Sequence, residues 1–193
     1  MVSDFIDEIN GFLALSDEGY QAAKATKPNI LPYAREFLEH GESHEGYWTQ
    51  DKFIAQMHRP IEIAEIKYPK EDGWRHVWVF DHSSCHAAMA DDALDVAKMN
   101  VKPGWKQPIM HDTVWNGKRW KMYFTARDGT KVPKGMKMVL EERGVSTEGK
   151  KADWMRETLA KQSDFRDEKS MIEHMLIERG HIPYFLPKFH VSN

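Results

Sequence analysis

The stretch that decides the fold is His76-Val77-Trp78-Val79-Phe80-Asp81, a short β-branched and aromatic run that ends in an acid, with Asp72-Gly73 as a turn signal upstream. Apolar character at every position from 77 to 80 predicts a central β-strand buried on both faces. An acid at the carboxyl end of such a strand sits in low dielectric, where its charge costs several kcal/mol unless something pairs with it. A divalent cation such as magnesium or manganese is one natural partner, because hard oxygen ligands suit it. In open α/β sheets the carboxyl ends of strands are also where ligands gather. Asp81 is therefore the first candidate site residue, and the plainer reading is an Asp that caps the turn or helix that follows it.

The elements around this strand follow from periodicity and punctuation. Val2 to Ile6 reads as a strand, with Asn10-Gly11 in the turn and Phe12 to Leu15 returning as its partner. A helix is expected over Leu31–His40 within a polar connection. Thr49 is a plausible N-cap for a helix carrying Phe53, Ile54, Met57, Ile61, Ala64 and Tyr68 at spacings of three and four, with Pro60 expected to kink or split it. Further helices are expected at about His86 to Lys98, at Lys134–Glu142, Ala152–Lys161 and Arg166–Arg179, the last stopped by Gly180. Thr113-Val114-Trp115 and Trp120 to Phe124 flank an Asn116-Gly117 hairpin turn, and His181 to Pro187 is strand-like. Strands alternating with helices indicate a mixed α/β sheet, read as one domain over 1–193 with a basic insertion at about 102–137.

Composition narrows the classes. Hydrophobic residues make up 41% and charged residues 30% of 193, the balance of an ordered globular chain. No apolar run approaches the roughly 20 residues that span a bilayer, so no membrane partner is expected. The opening Met1-Val2-Ser3-Asp4-Phe5 lacks the pattern of a secretory signal, and Cys85 is the single cysteine, so a nuclear or cytoplasmic location is expected. The net charge of −3 is unevenly spread. Residues 1–72 carry 7 Lys/Arg against 14 Asp/Glu, whereas residues 102–137 carry 9 Lys/Arg against Asp112 and Asp128 alone. Such segregation marks either a surface for an anionic partner or an ordinary solvated hairpin. Lys106, Lys118, Arg119, Lys121 and Trp120 are the candidate DNA contacts, since aromatics interleaved with cations can stack on bases or sugars. His82, Cys85 and His86 are close enough in sequence to suggest zinc, but three groups on one short loop do not close a tetrahedral site. Cys85 beside His86 lacks the third group of a nucleophilic triad.

Taken together, Val77-Trp78-Val79-Phe80 followed by Asp81-His82-Ser83-Ser84-Cys85-His86 resembles the second-aspartate motif of DDE transposases of the mariner-like superfamily, in which a buried strand ends in Asp with a His five residues on. Phe185-Leu186-Pro187-Lys188-Phe189-His190 is similar to the strand that leads toward that family's third acid. Val2-Ser3-Asp4-Phe5 with Asn10-Gly11-Phe12-Leu13 resembles its opening hairpin, and Tyr47-Trp48, the 50–68 helix and Trp74 fit the connection to the Asp81 strand. The resemblance implies a ribonuclease-H-like fold, incomplete because the first strand and final helix have no counterpart. It implies that Asp81 is the one catalytic and metal-binding acid retained, with His86 as an accessory group. A full member holds two magnesium or manganese ions about 3.5–4 Å apart between three acids. The implied function is a transposase-derived fragment, ancestrally cutting and joining DNA and inactive as it stands, without the helix-turn-helix modules that read element ends. Two alternatives stay open. One is a divergent metal nuclease in which Asp4 or Asp7 and Glu173 or Glu178 replace the missing acids. The other is a non-catalytic module that binds DNA weakly and without sequence preference through the basic hairpin. A missing central strand also implies self-association through exposed strand edges.

Overall fold

The computed structural model describes residues 2–39, 47–81, 83–104 and 106–187. It is a mixed α/β protein whose chain forms two compact units, Met1–Ala88 with Ser170–Asn193, and Met89–Lys169 between them. The excursion out of the first unit is thus wider than the 102–137 insertion expected from charge.

In the first unit, β1 (Val2–Ser3) pairs antiparallel with β4 (Glu36–Phe37), and β2 (Ile6–Asp7) with β3 (Gly11–Phe12). The β2–β3 turn is made by Asp7, whose carboxylate accepts from the N–H groups of Ile9 at 2.9 Å and Asn10 at 2.6 Å, while Gly11 takes a φ of +84°. Burial pushes the Asp7 carboxyl up, but Lys67 at 2.8 Å and those two N–H groups outweigh it and hold it at about 2. Helix α1 (Asp17–Thr26) starts at Ser16, whose hydroxyl accepts from Gly19. The helix expected over 31–40 does not form, because Pro32 and the pairing of 36–37 with β1 draw this stretch into extended backbone; His40 lies outside the described residues.

Helix α2 (Gln50–Lys67) is capped by Thr49 and runs unsplit through Pro60. Pro60 is buried with Met57, Ile61, Ile63 and Ala64, so tertiary packing overrides its helix-breaking tendency. Strand β5 (Val77–Phe80) and the later β10 (Ile182–Phe185) pair in parallel, Val77 opposite Ile182 and Phe80 opposite Phe185. Only one face of β5 is covered. Trp78 and Phe80 are buried, whereas Val77 and Val79 are 56% and 57% exposed. This corrects the two-faced burial expected of an all-apolar run: α2 supplies a layer on one side, through the ring contact of Phe53 with Phe80, while Val77 and Val79 on the other stay more than half exposed.

The second unit holds two hairpins and three helices among its described residues. β6 (Thr113–Trp115) pairs with β7 (Lys118–Trp120) across Asn116 and Gly117, both at positive φ, as a two-residue turn requires. The chain breaks at Lys121-Met122, and β8 (Tyr123–Thr125) pairs with β9 (Lys131–Pro133). Helices α3 (Met136–Glu142), α4 (Ala152–Ala160) and α5 (Ser163–Arg166) follow. The helix expected over 166–179 forms as α6 (Met171–Glu178), which returns to the first unit behind a capping box of Ser170 and Glu173. The helix expected at 86–98 is a turn and a 3-10 segment, Val96–Lys98, started by the Asp95 carboxylate. A methionine-rich core of Met99, Met110, Met122, Met136 and Met155 packs with Leu140, Leu159 and Phe165. Beside it lies a fully buried ion pair, Arg143 with Asp164, the guanidinium reaching both carboxylate oxygens at 3.1 and 2.7 Å. Gln162 takes a further bond from the same guanidinium, which faces the rings of Trp115, Trp120 and Phe165.

Gly135, just before α3, touches backbone where a side chain would stand. A Cβ there would collide with the carbonyl oxygen of Val101 and lie 2.5 Å from the carbonyl carbon of Lys102. Gly135→Ala is therefore expected to destabilise the second unit by about 1–3 kcal/mol or more. A thermal melt checks this, and an unchanged midpoint would contradict the close approach.

Candidate functional site

Asp81 stands at the carboxyl end of β5, beside the end of the parallel β10. Its carboxylate accepts from the N–H of Ser83 at 3.0 Å and pairs with His86 Nδ1 at 2.7 Å. The N–H of His86 in turn donates to the Ser83 carbonyl, closing a turn over 83–86 in place of the expected helix start. The His86 ring packs against Phe53 at 4.4 Å and Phe80 at 5.3 Å between centroids, which anchors it. The Ser83 N–H, aided by the nearby His86 imidazole, holds the Asp81 carboxyl below the usual range against the opposing effect of burial. With 69% of its side chain exposed, Asp81 is not the desolvated acid that the strand pattern suggests. It caps the turn that follows it, and its charge is met by water, one N–H and one histidine.

The remaining acids considered as metal partners are engaged elsewhere. Asp4 pairs with Arg35 at 2.6 Å, Asp7 with Lys67, and the Glu173 carboxylate accepts from the Ser170 N–H in the α6 cap. Glu178 ends α6, on the side where β10 begins. In a parallel pair that end is separated from Asp81 by the strand's length, roughly 13 Å for the four steps from Val77 to Asp81. Among the described residues no three His, Cys, Asp or Glu side chains gather where a metal ion could be held. A lone exposed carboxylate tied to a histidine does not fit a pair of hard cations. Cys85 approaches the Trp48 carbonyl at 4.0 Å, and the Nδ1 of its neighbour His86 is engaged with Asp81. His82 lies outside the described residues, so the zinc reading of 82, 85 and 86 has no geometry to weigh.

The basic candidates divide. Lys118 lies over the Trp120 ring at 4.4 Å, while Lys121 and Lys131 share the Tyr123 ring at 5.8 and 4.6 Å. Arg119 reaches Asp112 at 3.4 Å and stays exposed. Lys134 is instead turned to Glu142 at 2.5 Å, and Lys137 to Glu141 at 3.8 Å. Lys106 is exposed and lies outside both hairpins. Trp120 is only half free for stacking, since its indole N–H donates to the Trp115 carbonyl at 3.2 Å and its ring faces Arg143.

Three polar clusters had no local signal in the sequence: Arg143 with Asp164, His111 with Glu168 at 3.0 Å, and His181 with Trp78 and Glu65. Their partners are 21 to 116 residues apart, beyond any periodicity.

Comparison with protein-family models, with curated proteins and with solved structures finds no match to this chain.

The contrast between the exposed and the buried acid can be measured. Asp81→Ala is expected to cost about 0.5–1 kcal/mol, the scale of a lost turn cap at an exposed site. Arg143→Ala leaves Asp164 buried without its ion partner and is expected to cost about 3–5 kcal/mol. Urea unfolding of both variants checks the order, and an Asp81 loss as large as that of Arg143 would contradict the exposed-cap description.

Proposed function

We propose that the first unit is a piece of a ribonuclease-H-like DDE transposase catalytic domain, with Asp81 its retained acid, and that it does not cleave DNA. The observation that carries this reading is the parallel, in-register pairing of β5 with β10, with Asp81 at its carboxyl end. The resemblance assigns these two strands to the second acid and to the approach to the third, and their pairing sets Asp81 beside that approach. A groove of about 470 Å³ along the other side of β5 adds support. It is lined by Ile6, Ile9 and Leu13 of the hairpin region and by Val77 and Val79 of β5, and the resemblance places the family's first strand between those two elements. Inactivity follows from the engagement of Asp4, Asp7 and Glu173 in pairs of their own, which leaves Asp81 without a companion acid among the described residues. No step is assigned to magnesium or manganese here, because the donor set does not fit the ions.

A second reading, of DNA binding by the β6–β9 hairpins, is favoured by Lys118, Lys121 and Lys131 lying along aromatic faces with their charges exposed. Binding of this kind is weak, follows phosphates rather than bases, and falls with salt as counterions are released. Self-association through the uncovered face of β5 and β10, where Val77, Val79 and Tyr184 are exposed, belongs to the same proposal.

The purified chain is expected to leave supercoiled and linear duplexes intact with magnesium or manganese. Cleavage that vanishes in Asp81→Ala would overturn the inactive reading in favour of the divergent nuclease. In a salt titration of DNA binding, reversing Lys118, Arg119 and Lys121 to Glu is expected to flatten the log–log slope by about 0.9 for each phosphate that is no longer neutralised. Equal slopes for variant and parent would return these residues to an ordinary solvated hairpin. Light scattering on the eluted chain is expected to report a mass above that of one copy, and a clean monomer would remove self-association.

A further inference from the structure

His181 opens β10, and its side chain is fully buried. Its Nδ1 lies 2.9 Å from the indole Nε1 of Trp78 on β5, and its Nε2 lies 2.9 Å from a carboxylate oxygen of Glu65 on α2. An indole N–H can only donate. Nδ1 must therefore be an acceptor, the imidazole is neutral, and the ring proton sits on Nε2, donated to Glu65. Glu65 is also held by the Arg179 guanidinium at 3.1 and 2.5 Å, and Lys70 donates to the Arg179 carbonyl. His76 stacks on the His181 ring at 4.6 Å between centroids and 20° between planes, and both of its own nitrogens are out of solvent contact without a hydrogen-bond partner among the described residues. One ring thus joins α2, β5 and β10, and it can do so only while unprotonated at Nδ1.

We infer that His181 is an acid-sensitive latch: a proton on Nδ1 sets donor against donor at Trp78 and releases the start of β10 from β5. The groups facing the ring set the balance. Burial disfavours the charged imidazole most, His76 and Lys70 also oppose it, and Glu65 favours it without prevailing, so the His181 pKa lies below the ordinary histidine value. A group whose folded pKa is depressed in this way, and which is neutral when folded, contributes stability above the unfolded value of about 6.5. That contribution is lost as pH falls below it, because the unfolded or released chain takes up the proton first. The inference rests on this geometry alone and is independent of any relation to transposases.

The test follows folding and the Trp78 indole together. For the parent chain, the His181 contribution makes the folding constant fall with acid below pH about 6.5, by at most about tenfold per pH unit for one proton. At lower pH, where the folded chain itself takes up the proton, the Trp78 indole N–H resonance is expected to shift or broaden ahead of global unfolding. His181→Asn keeps an acceptor near the Nδ1 position and does not titrate there, so its folding constant should lack this part of the fall. Parallel pH profiles for the two chains would overturn the latch. Should the variant fail to fold, the parent spectrum decides alone: an indole resonance that stays unchanged down to the onset of acid unfolding also overturns it.

Discussion

The parallel pairing of Val77–Phe80 with Ile182–Phe185 is the constraint on which the first unit depends. It joins residues about a hundred positions apart and closes the first unit over the whole 89–169 excursion. Loop closure of that length carries an entropic cost that grows only slowly with length. It is offset by burial of Trp78 and Phe80 against α2 and by the polar junction at the strand's start, where Glu65, Arg179, His181 and Trp78 satisfy one another. The register also fixes the position of Asp81: a slip of one residue would turn Trp78 and Phe80 outward and Val77 and Val79 inward. The candidate site is thus a consequence of side-chain size on one strand, large aromatics on the covered face and valines on the open one.

How much of this was legible depended on whether the deciding contact was local. The opening turn, the Thr49 cap and the body of α2, the Asn116-Gly117 hairpin and helices α3 and α4 lie near their sequence signals, because caps, turns and amphipathic stripes act within a few residues. The 31–40 helix gives way for a tertiary reason, since residues 36–37 pair with β1, whereas at 86–98 local bonds compete with helix: the His86 N–H closes a turn on Ser83 and the Asp95 carboxylate starts a 3-10 segment. Burial of β5 was half right. An all-apolar run says that a strand is wanted in a core, but it does not say how many layers the rest of the chain supplies. For the same reason the pattern places Asp81 at the end of a strand but does not give its environment: the strand ends at the surface, where solvent and the Ser83 N–H meet the charge.

The second unit obeys a different rule. Its basic charge is visible in the sequence, but Arg143, whose guanidinium is buried, is not among the nine that make the 102–137 stretch positive. Arg143 organises the interior side of the hairpins by facing Trp115 and Trp120, while Lys118 and Lys121 remain outside. This division turns the Trp115 and Trp120 rings toward Arg143 and leaves the Lys118 and Lys121 side chains exposed.

Among the described residues β5 pairs on one edge only. The register directs the N–H groups of Trp78 and Phe80 toward β10 and those of Val77 and Val79 toward the groove, consistent with the bonds of Ile182 to the His76 carbonyl and of Leu186 to the Phe80 carbonyl. Residue-resolved amide hydrogen exchange on the intact chain at neutral pH tests this directly. The account predicts alternation, with Trp78 and Phe80 slow and Val77 and Val79 fast. Uniform slow exchange across all four residues would contradict it, since it would require a second strand on the open edge.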